Sequence, residues 1–424
     1  MHHCIMVCLL ILGLSVGLVI SQITPESWID SDSTPSSISL DSEKVKAFGL
    51  RPSNNFRCKR NTITRKCRLK CTCIKGRRYC CRQRKDWDAL THDEKTRFLN
   101  AVYNIGTGRA GWRLRNNWVR LLYIHELYWV EGIHDRVQFY PWHRIYLLKI
   151  ENLLRQVDCR LTVPYWDWTK NVARWWESSI FNWRYFGSNL NYNARTGEQQ
   201  LTTEDQCPSN GYFSPQYGYQ DLEGQCLVRQ FTYNVFPASY KRIQNILSWK
   251  NALRSEADLR HEHGIPHYIV GGEKTGLFFT ERAAEDPLFW IHHSNVDYQW
   301  YQRQTRYLET IFEPWKERGN IGQSLTAFPE TVGQALNPFK LGRLKTCVEY
   351  VEYDDRYEDW LRDKRTRANK VGSLSSGTHG YSTASKMECM KSQHSFPALI
   401  FTLFKTSPAE KKNFLRNRNQ DGDC

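Results

Sequence analysis

Apolar side chains recur along the chain at helical spacing. Large apolar residues return every three or four positions across residues 116–131, and a second stripe covers residues 141–157. A third helix is predicted to begin at Asp286-Pro287, because Asp is a good N-cap and Pro is tolerated at the first helical position. Thr91 and Glu94 have the spacing of a capping box before a further helix. The middle of the chain is therefore predicted to be mainly α-helical.

Six histidines lie at metal-ligand spacing in these segments. His125 falls on the first stripe, His143 falls on the second, and His134 lies in a predicted break between the two helices. Neutral imidazole binds copper, zinc or iron, and three imidazoles per metal leave coordination positions open for a substrate. Two neighbouring three-histidine sites would form a paired metal centre. The two predicted triplets are His125, His134 and His143, and His263, His267 and His293.

Helical phase selects the members of the second triplet. His263 and His267 are four residues apart, so one helix would place both on one side, although the proline between them predicts a kink or a helix of about one turn. His261 is a competing ligand, but its six-residue offset from His267 fits a helix face less well. His293 shares the apolar face of the third helix, whereas His292 lies beside it. Phase therefore favours His293 as the inward ligand.

The same stretches resemble the two copper-binding motifs of the tyrosinase family. The run HDRVQFYPWHR at 134–144, followed by VPYWDW at 163–168, resembles the first motif, and EDPLFWIHH at 285–293 resembles the second. The resemblance covers about residues 85–305. It implies a type III copper protein with two copper ions between four antiparallel helices, one ion held by each histidine triplet. It also implies dioxygen as oxidant and phenolic small molecules, or tyrosine and DOPA side chains, as substrates.

The resemblance bears on two further residues, Gly264 and Glu256. Many relatives that hydroxylate monophenols have Asn directly after the first histidine of the second site, where it helps a Glu to orient a basic water. That position is Gly264 here, and the Glu would be Glu256. Because Gly264 offers no side-chain acceptor, we expect diphenol oxidation rather than monophenol hydroxylation. Asp297, one turn after His293, is expected either to fix an imidazole tautomer or to have a surface or cap role.

Composition divides the chain into five predicted segments. Residues 1–21 are typical of a signal peptide, although an uncleaved signal anchor is the alternative because the first residues contain His rather than Lys or Arg. Residues 22–57 are predicted to be a flexible linker and residues 58–84 a basic, Cys-rich module. Residues 85–305 are the predicted dicopper domain, and residues 306–424 are a C-terminal extension with candidate strands at 348–353 and 398–404.

The predicted fold class is therefore mainly α. We expect an antiparallel four-helix bundle around a dicopper centre. A small disulfide-rich module is expected before the bundle, and an extension of loops and short strands after it.

Twelve cysteines remain once the predicted signal peptide is removed. An oxidising compartment would convert them to disulfides. Six lie between Cys58 and Cys81, and six cysteines allow 15 pairings among themselves, so no pairing is assigned; a zinc knuckle is the competing interpretation. Cys207 and Cys226 flank a loop and are predicted to pair with each other. The partners of the remaining four are left open: Cys159, Cys347, Cys389 and Cys424.

Positive charge is concentrated near the N-terminal module. Residues 57–85 contain 13 Lys or Arg and no Asp or Glu, whereas the rest of the chain has 46 basic and 44 acidic residues. Residues 57–85 are predicted either to bind an acidic extracellular matrix or sulfated glycans, or to be a solvated basic knot or a propeptide. Nucleic acid is not an expected partner, because the predicted route is secretory. No membrane span is expected after signal cleavage.

The sequence as a whole predicts a secreted copper-dependent oxidoreductase. It would convert o-diphenols to o-quinones with dioxygen, for the pigmentation or cross-linking of extracellular material. A dioxygen carrier of haemocyanin type is the first alternative, but a single core beside a basic module argues against it. An inactive extracellular matrix protein is the second alternative, and the six intact histidines argue against that.

Overall fold

The structure of the central part of the chain was analysed as a computed structural model. It describes residues 62–351, apart from positions 65, 68, 75–76, 135–137, 189–190, 193–198, 201–206, 274–275 and 308–320. The predicted signal peptide, the predicted linker and the candidate strand at 398–404 lie outside the described residues. Within that part of the chain, no helix is both long and apolar enough to cross a bilayer.

Helices dominate the described chain, which confirms the prediction of a mainly helical protein. The described parts of the long connection between Val157 and Tyr240 are loops, short 3-10 helices and two two-residue strands. The α-helices are α1 (His92–Gly106), α2 (Trp112–Leu127), α3 (Phe139–Val157), α4 (Tyr240–Leu247), α5 (Ala252–Gly271), α6 (Leu288–Arg306) and α7 (Val332–Leu336).

Two helices begin at the predicted signals. The backbone N–H of Glu94 donates to Thr91 Oγ1 at 3.2 Å, and the N–H of Thr91 donates to Glu94 Oε2 at 3.0 Å, so the capping box is confirmed. At the start of α6 the N–H of Leu288 donates to Asp286 Oδ1 at 3.0 Å. Each side chain satisfies a backbone donor that has no partner within its helix.

Pro266 does not interrupt α5. The helix runs without a break from Ala252 to Gly271, so the expectation of a kink or of a single turn was wrong. Proline removes one backbone hydrogen bond. The second half of α5 is buried and the helix packs against α6, and this packing holds the segment helical in spite of that loss.

The helices that bear histidines pack on one another. Helix α3 contacts both α2 and α6, and α5 contacts α6. Almost every residue of α3 is buried, including the charged side chains of Arg144 and Glu151. The histidine-bearing faces therefore meet in the most deeply buried part of the domain.

A four-stranded sheet joins the two ends of the described chain. Its strands are β1 (Thr62–Ile63), β2 (Lys70–Ile74), β3 (Arg77–Arg84) and β6 (Val348–Tyr350), in the order β1-β2-β3-β6. Strands β1 to β3 are antiparallel, whereas β3 pairs with β6 in parallel. The predicted strand at 348–353 is thus found at 348–350, as a partner of the N-terminal segment. A separate pair is formed by β4 (Asn191–Tyr192) and β5 (Gln199–Gln200).

The disulfides tie the N-terminal cysteines to the rest of the domain. The expectation that the six clustered cysteines pair among themselves was wrong, because Cys67 and Cys81 bond to cysteines outside the cluster. Strand β3 pairs with β6 and so brings Cys81 beside the residue that precedes β6. A cysteine in a disulfide cannot be a zinc thiolate. Four cysteines of the cluster are in disulfides and therefore do not form a zinc knuckle: Cys67, Cys71, Cys80 and Cys81. The Cys207–Cys226 pair is confirmed. The other bonds are Cys67–Cys159, Cys71–Cys80 and Cys81–Cys347.

Candidate metal centre

The six predicted histidines meet at one place in the core. Helices α2, α3, α5 and α6 supply five of them, and His134 comes from the loop after α2. In each predicted triplet the candidate ligand atoms all lie within 4.8 Å of one another. The triplets adjoin through His143 and His293, whose rings stack with centroids 4.4 Å apart and an angle of 8°. This arrangement suits two neighbouring ions.

Backbone carbonyls orient five of the six imidazoles. A carbonyl oxygen only accepts, so in each case Nδ1 carries the proton and Nε2 keeps its lone pair for a metal. Fixing a tautomer is one of the two roles that sequence analysis considered for Asp297. The acceptors are the carbonyls of Glu281 for His125 (2.9 Å), Trp129 for His134 (3.2 Å), Phe139 for His143 (2.7 Å), Arg260 for His263 and Phe278 for His267 (2.7 Å).

Two of the freed nitrogens are buried without a partner. Nε2 of His125 and Nε2 of His143 make no hydrogen bond within the described part of the chain. A buried polar atom left in this way costs about 1–3 kcal/mol. Imidazole nitrogen is a preferred ligand of copper. The donor set therefore fits a pair of copper ions, which would satisfy these atoms.

Burial keeps the imidazoles neutral. Desolvation lowers the pKa of His134 to about 4 and that of His267 to about 3. Burial, together with the charge of neighbouring imidazoles, also lowers the pKa of the other four well below the ordinary value. Metal ligation requires the neutral ring. The rings are therefore in the ligand form at neutral pH.

Two phenylalanines bridge the triplets. The ring of Phe139 lies 4.6 Å from that of His263, and the ring of Phe289 lies 4.8 Å from that of His125. Each phenylalanine precedes the histidine of its own helix by four residues, which places both on the same helix face. Both lie within the two stretches that resemble the copper-binding motifs, and the four-residue spacing from a histidine could have identified each.

His292 borders the site without joining the triplet. Its ring stacks on His263 with centroids 5.9 Å apart and meets His267 edge-on at 4.5 Å. The group of close ligand nitrogens contains His293 instead. His261 is half-buried, and His263 occupies the triplet in its place. Helical phase favoured His293 over His292 and His263 over His261, and both selections match the geometry of the site.

Asp297 joins a buried ion cluster instead of holding an imidazole. Its Oδ1 accepts from Arg144 Nε at 2.6 Å, and its Oδ2 accepts from Arg84 Nη1 at 3.1 Å and from the Tyr350 hydroxyl at 2.7 Å. Both expectations for Asp297, an imidazole partner and a surface or cap role, were wrong. Arg84 also donates to Glu151 Oε2 at 3.0 Å. The cluster binds α3 to α6 next to the metal centre, because Arg144 directly follows His143 and Asp297 is one turn after His293.

Glu256 and Gly264 both lie on α5. Glu256 is two turns before His263, is buried, and accepts from Trp300 Nε1 at 3.1 Å. Gly264 directly follows His263 and is also buried. The role of Glu256 in orienting a water stays a prediction.

Comparisons with known proteins agree with this site. Residues 115–306 match the common central domain of tyrosinase. A tyrosinase-like protein of Caenorhabditis elegans is 28% identical over 238 residues, which are 53% of this chain and 32% of that protein. Tyrosinase ustQ of Aspergillus flavus is 29% identical over 238 residues, or 52% of this chain and 63% of that protein. Hemocyanin 1 of Megathura crenulata is 27% identical over 176 residues, covering 40% of this chain and 4% of that protein.

The chain spans less than two thirds of the length of each of these three relatives. The matched region contains all six histidines of the two triplets. Sequence motifs, site geometry and matched domain agree that residues 115–306 are a central domain of the tyrosinase type, as found in type III copper proteins.

Proposed function

We propose that this protein is a secreted, copper-dependent phenol oxidase. It would convert o-diphenols to o-quinones with dioxygen, for the pigmentation or cross-linking of extracellular material. The observation that supports this most directly is the pair of adjoining histidine triplets, in which backbone carbonyls orient the rings of His125 and His143 and leave their buried Nε2 atoms without a partner. Each triplet would hold one copper ion, inside an antiparallel bundle of α2, α3, α5 and α6. The four disulfides found among the described residues support an oxidising compartment.

Bound copper would supply the electron transfer. Two o-diphenol molecules lose two electrons and two protons each, and one dioxygen is reduced to two waters. The protein contributes geometry: fixed Nδ1–H tautomers hold each Nε2 in place. Phe139 and Phe289 line the space between the triplets with apolar surface, so that water is excluded from the reacting groups. Fixed tautomers and a dry site are what such an oxidase requires of its chain.

The second site favours diphenols over monophenols. Hydroxylation of a monophenol needs a base to remove the phenol proton. Gly264 has no side chain that could hold a basic water, and Glu256 is engaged by Trp300. An o-diphenol is oxidised without hydroxylation and does not need this step. We therefore propose diphenol oxidase activity as the principal reaction.

Dioxygen transport is the second candidate, supported by the similarity to Hemocyanin 1. Both functions use the same histidines, so the metal centre alone does not separate them. A carrier would bind and release dioxygen repeatedly in the presence of catechol without producing quinone. An oxidase would consume catechol under the same conditions.

The test combines copper content with catechol turnover. Purified full-length protein should bind two copper ions per chain and oxidise catechol faster than tyrosine. His293→Asn should lose copper from the second site and abolish turnover. His292→Asn is the matched control, because it removes the neighbouring imidazole and leaves both triplets intact; it should still bind two copper ions.

Two results would contradict the proposal. Equal copper loss in the two variants would mean that the second triplet is assigned wrongly. A wild-type protein that binds two copper ions but leaves catechol unoxidised, before and after limited proteolysis, would favour a carrier or an inactive matrix protein.

A further inference from the structure

A surface cleft of about 560 Å³ lies away from the six histidines. Helix α1, the turn that follows it, residues 183–184 and the loop at 211–217 form its walls. Its volume falls within the range of small-ligand sites, about 300–1,000 Å³. None of the six triplet histidines lines it. The cleft is therefore a candidate binding site separate from the metal centre.

Aromatic rings form the walls of the cleft. Trp183 is 61% exposed and Tyr217 is 55% exposed, and Tyr212 also lines the cleft. The hydroxyl of Tyr103 donates to the carbonyl of Tyr217, which fixes the loop that presents this ring. Large aromatic side chains held at a surface in this way offer flat faces to a ligand. The face of an aromatic ring carries partial negative charge and attracts polarised C–H groups such as those of a sugar.

Two guanidinium groups are placed beside these rings. Arg184 lies over the ring of Trp183 at 4.8 Å, and Arg109 lies over the ring of Tyr103 at 4.9 Å. Both arginines are exposed. No carboxylate is within ion-pair distance of either one in the part of the chain that the structure describes. Each guanidinium therefore keeps its donors for a ligand oxygen, and its fork geometry matches carboxylate and sulfate.

The described lining of the cleft has no acidic side chain. It also supplies the amides of Asn100 and Asn104. The chain from Lys95 to His125, which forms most of α1, the turn after it and most of α2, contains six Lys or Arg and no acidic residue, whereas Asp93 and Glu94 lie in the first turn of α1. An anion approaching this face would be attracted. The amides provide hydrogen bonds for hydroxyl groups.

We propose that this cleft binds an acidic saccharide, with sugar rings on Trp183 and Tyr217 and carboxylate or sulfate groups on Arg184 and Arg109. Exposed rings beside guanidinium groups would also suit single-stranded nucleic acid. The four disulfides favour the saccharide, because they place the chain in an oxidising compartment, where acidic glycans are the prevalent polyanions. This binding would hold the protein on an extracellular matrix.

The test measures binding of defined oligosaccharides to the full chain by calorimetry. Heparin tetrasaccharides carry sulfate, hyaluronan tetrasaccharides carry only carboxylate, and cellotetraose is neutral. The two acidic probes separate the two anion sources, and at least one should bind tighter than cellotetraose. Trp183→Ala and Arg184→Ala should each weaken that binding about tenfold or more, because a hydrogen bond to a charged group is worth about one decade.

Arg254→Ala is the matched control. Arg254 lies over the ring of Trp249 at 4.4 Å, a similar cation–π pair on a different surface. The substitution removes the same charge and should leave binding unchanged. It also corrects for background binding by the basic residues 57–85, which every variant keeps. Circular dichroism and the unfolding midpoint establish that each variant is folded.

Three outcomes would overturn the proposal. Equal effects of Trp183→Ala and Arg254→Ala would mean that any binding is only general attraction to positive charge. Cellotetraose binding as tight as that of both acidic probes would remove the role of the guanidinium groups. A single-stranded oligonucleotide that binds tighter than every saccharide and is lost in Trp183→Ala would assign the cleft to nucleic acid.

Discussion

The cluster behind the metal centre predicts that Asp297→Asn will be strongly destabilising. Asp297 accepts from two guanidinium groups, Arg84 at 3.1 Å and Arg144 at 2.6 Å, and from the hydroxyl of Tyr350 at 2.7 Å. The arginine side chains are fully buried, and that of Asp297 is 5% exposed. Replacing the carboxylate by a neutral amide leaves these guanidinium groups without their shared counter-charge.

Removing one partner of a buried ion pair costs about 3–5 kcal/mol. We expect Asp297→Asn to lower the free energy of unfolding by this amount, a large part of a typical total of about 5–15 kcal/mol. Tyr350→Phe leaves both charges paired but removes two hydrogen bonds to charged groups, one donated to Asp297 and one accepted from Arg84 Nη1 at 2.9 Å. A hydrogen bond to a charged group is worth about 1.5–3 kcal/mol, so the cost of this variant should be at least of that size without the loss of a counter-charge. The ratio of the two losses in unfolding free energy separates the contribution of the charge from that of hydrogen bonding.

Urea unfolding of the copper-free protein, followed by tryptophan fluorescence, measures both values. Asp158→Asn is the matched control, because Asp158 pairs with the exposed Arg160 at the surface and its loss should change the midpoint little. Copper content should also fall in Asp297→Asn, since the cluster fixes α3 against α6 beside His143 and His293. If Asp297→Asn unfolds at the same urea concentration as Asp158→Asn, the buried carboxylate does not hold the two helices together.

Three further predictions concern pH, metal and disulfides. Burial lowers the pKa of His134 to about 4 and that of His267 to about 3, so below pH 6.5 the unfolded chain takes up protons that the folded chain does not. The unfolding free energy of the copper-free protein should therefore fall between pH 6.5 and 4, by up to about 1.4 kcal/mol per pH unit for each histidine; urea titrations that give equal values at pH 7 and 5 would contradict this. Copper at 100 times its dissociation constant should raise the unfolding free energy by about 2.7 kcal/mol, and a melting temperature that does not change on chelation would rule this out. Replacing both Cys81 and Cys347 by Ser should cost about 2–5 kcal/mol in thermal unfolding, with an unchanged melting temperature as the contrary result.

Local patterns in the sequence predicted much of the metal centre. Helical periodicity placed His125, His143 and His293 on inward faces, and these rings do meet. The reason is that a side chain's direction on a helix depends only on its position within the turn. The Cys207–Cys226 bond was likewise predicted from two residues that flank one loop.

The features that the sequence did not predict depend on distant segments. The three partners of Asp297 come from strands β3 and β6 and from helix α3, all more than fifty residues away from it, and no periodicity relates these positions. The partner of Cys81 is 266 residues away and is set by the parallel pairing of β3 with β6. Pro266 was misjudged for a related reason. Its local penalty is real, but the packing of α5 against α6 outweighs it.

The parallel pairing of β3 with β6 has a practical consequence for fragment design. An expression fragment trimmed to the boundaries of the matched domain would lack Arg84 and Tyr350, both partners of Asp297, and would also lose the backbone carbonyl of Ala335 that accepts from Arg144. Such a fragment would keep all six imidazoles, yet it would expose the reverse side of their helices to solvent. The smallest autonomous folding unit is accordingly much longer than the segment that holds the ligands, and should extend at least from β3 to β6.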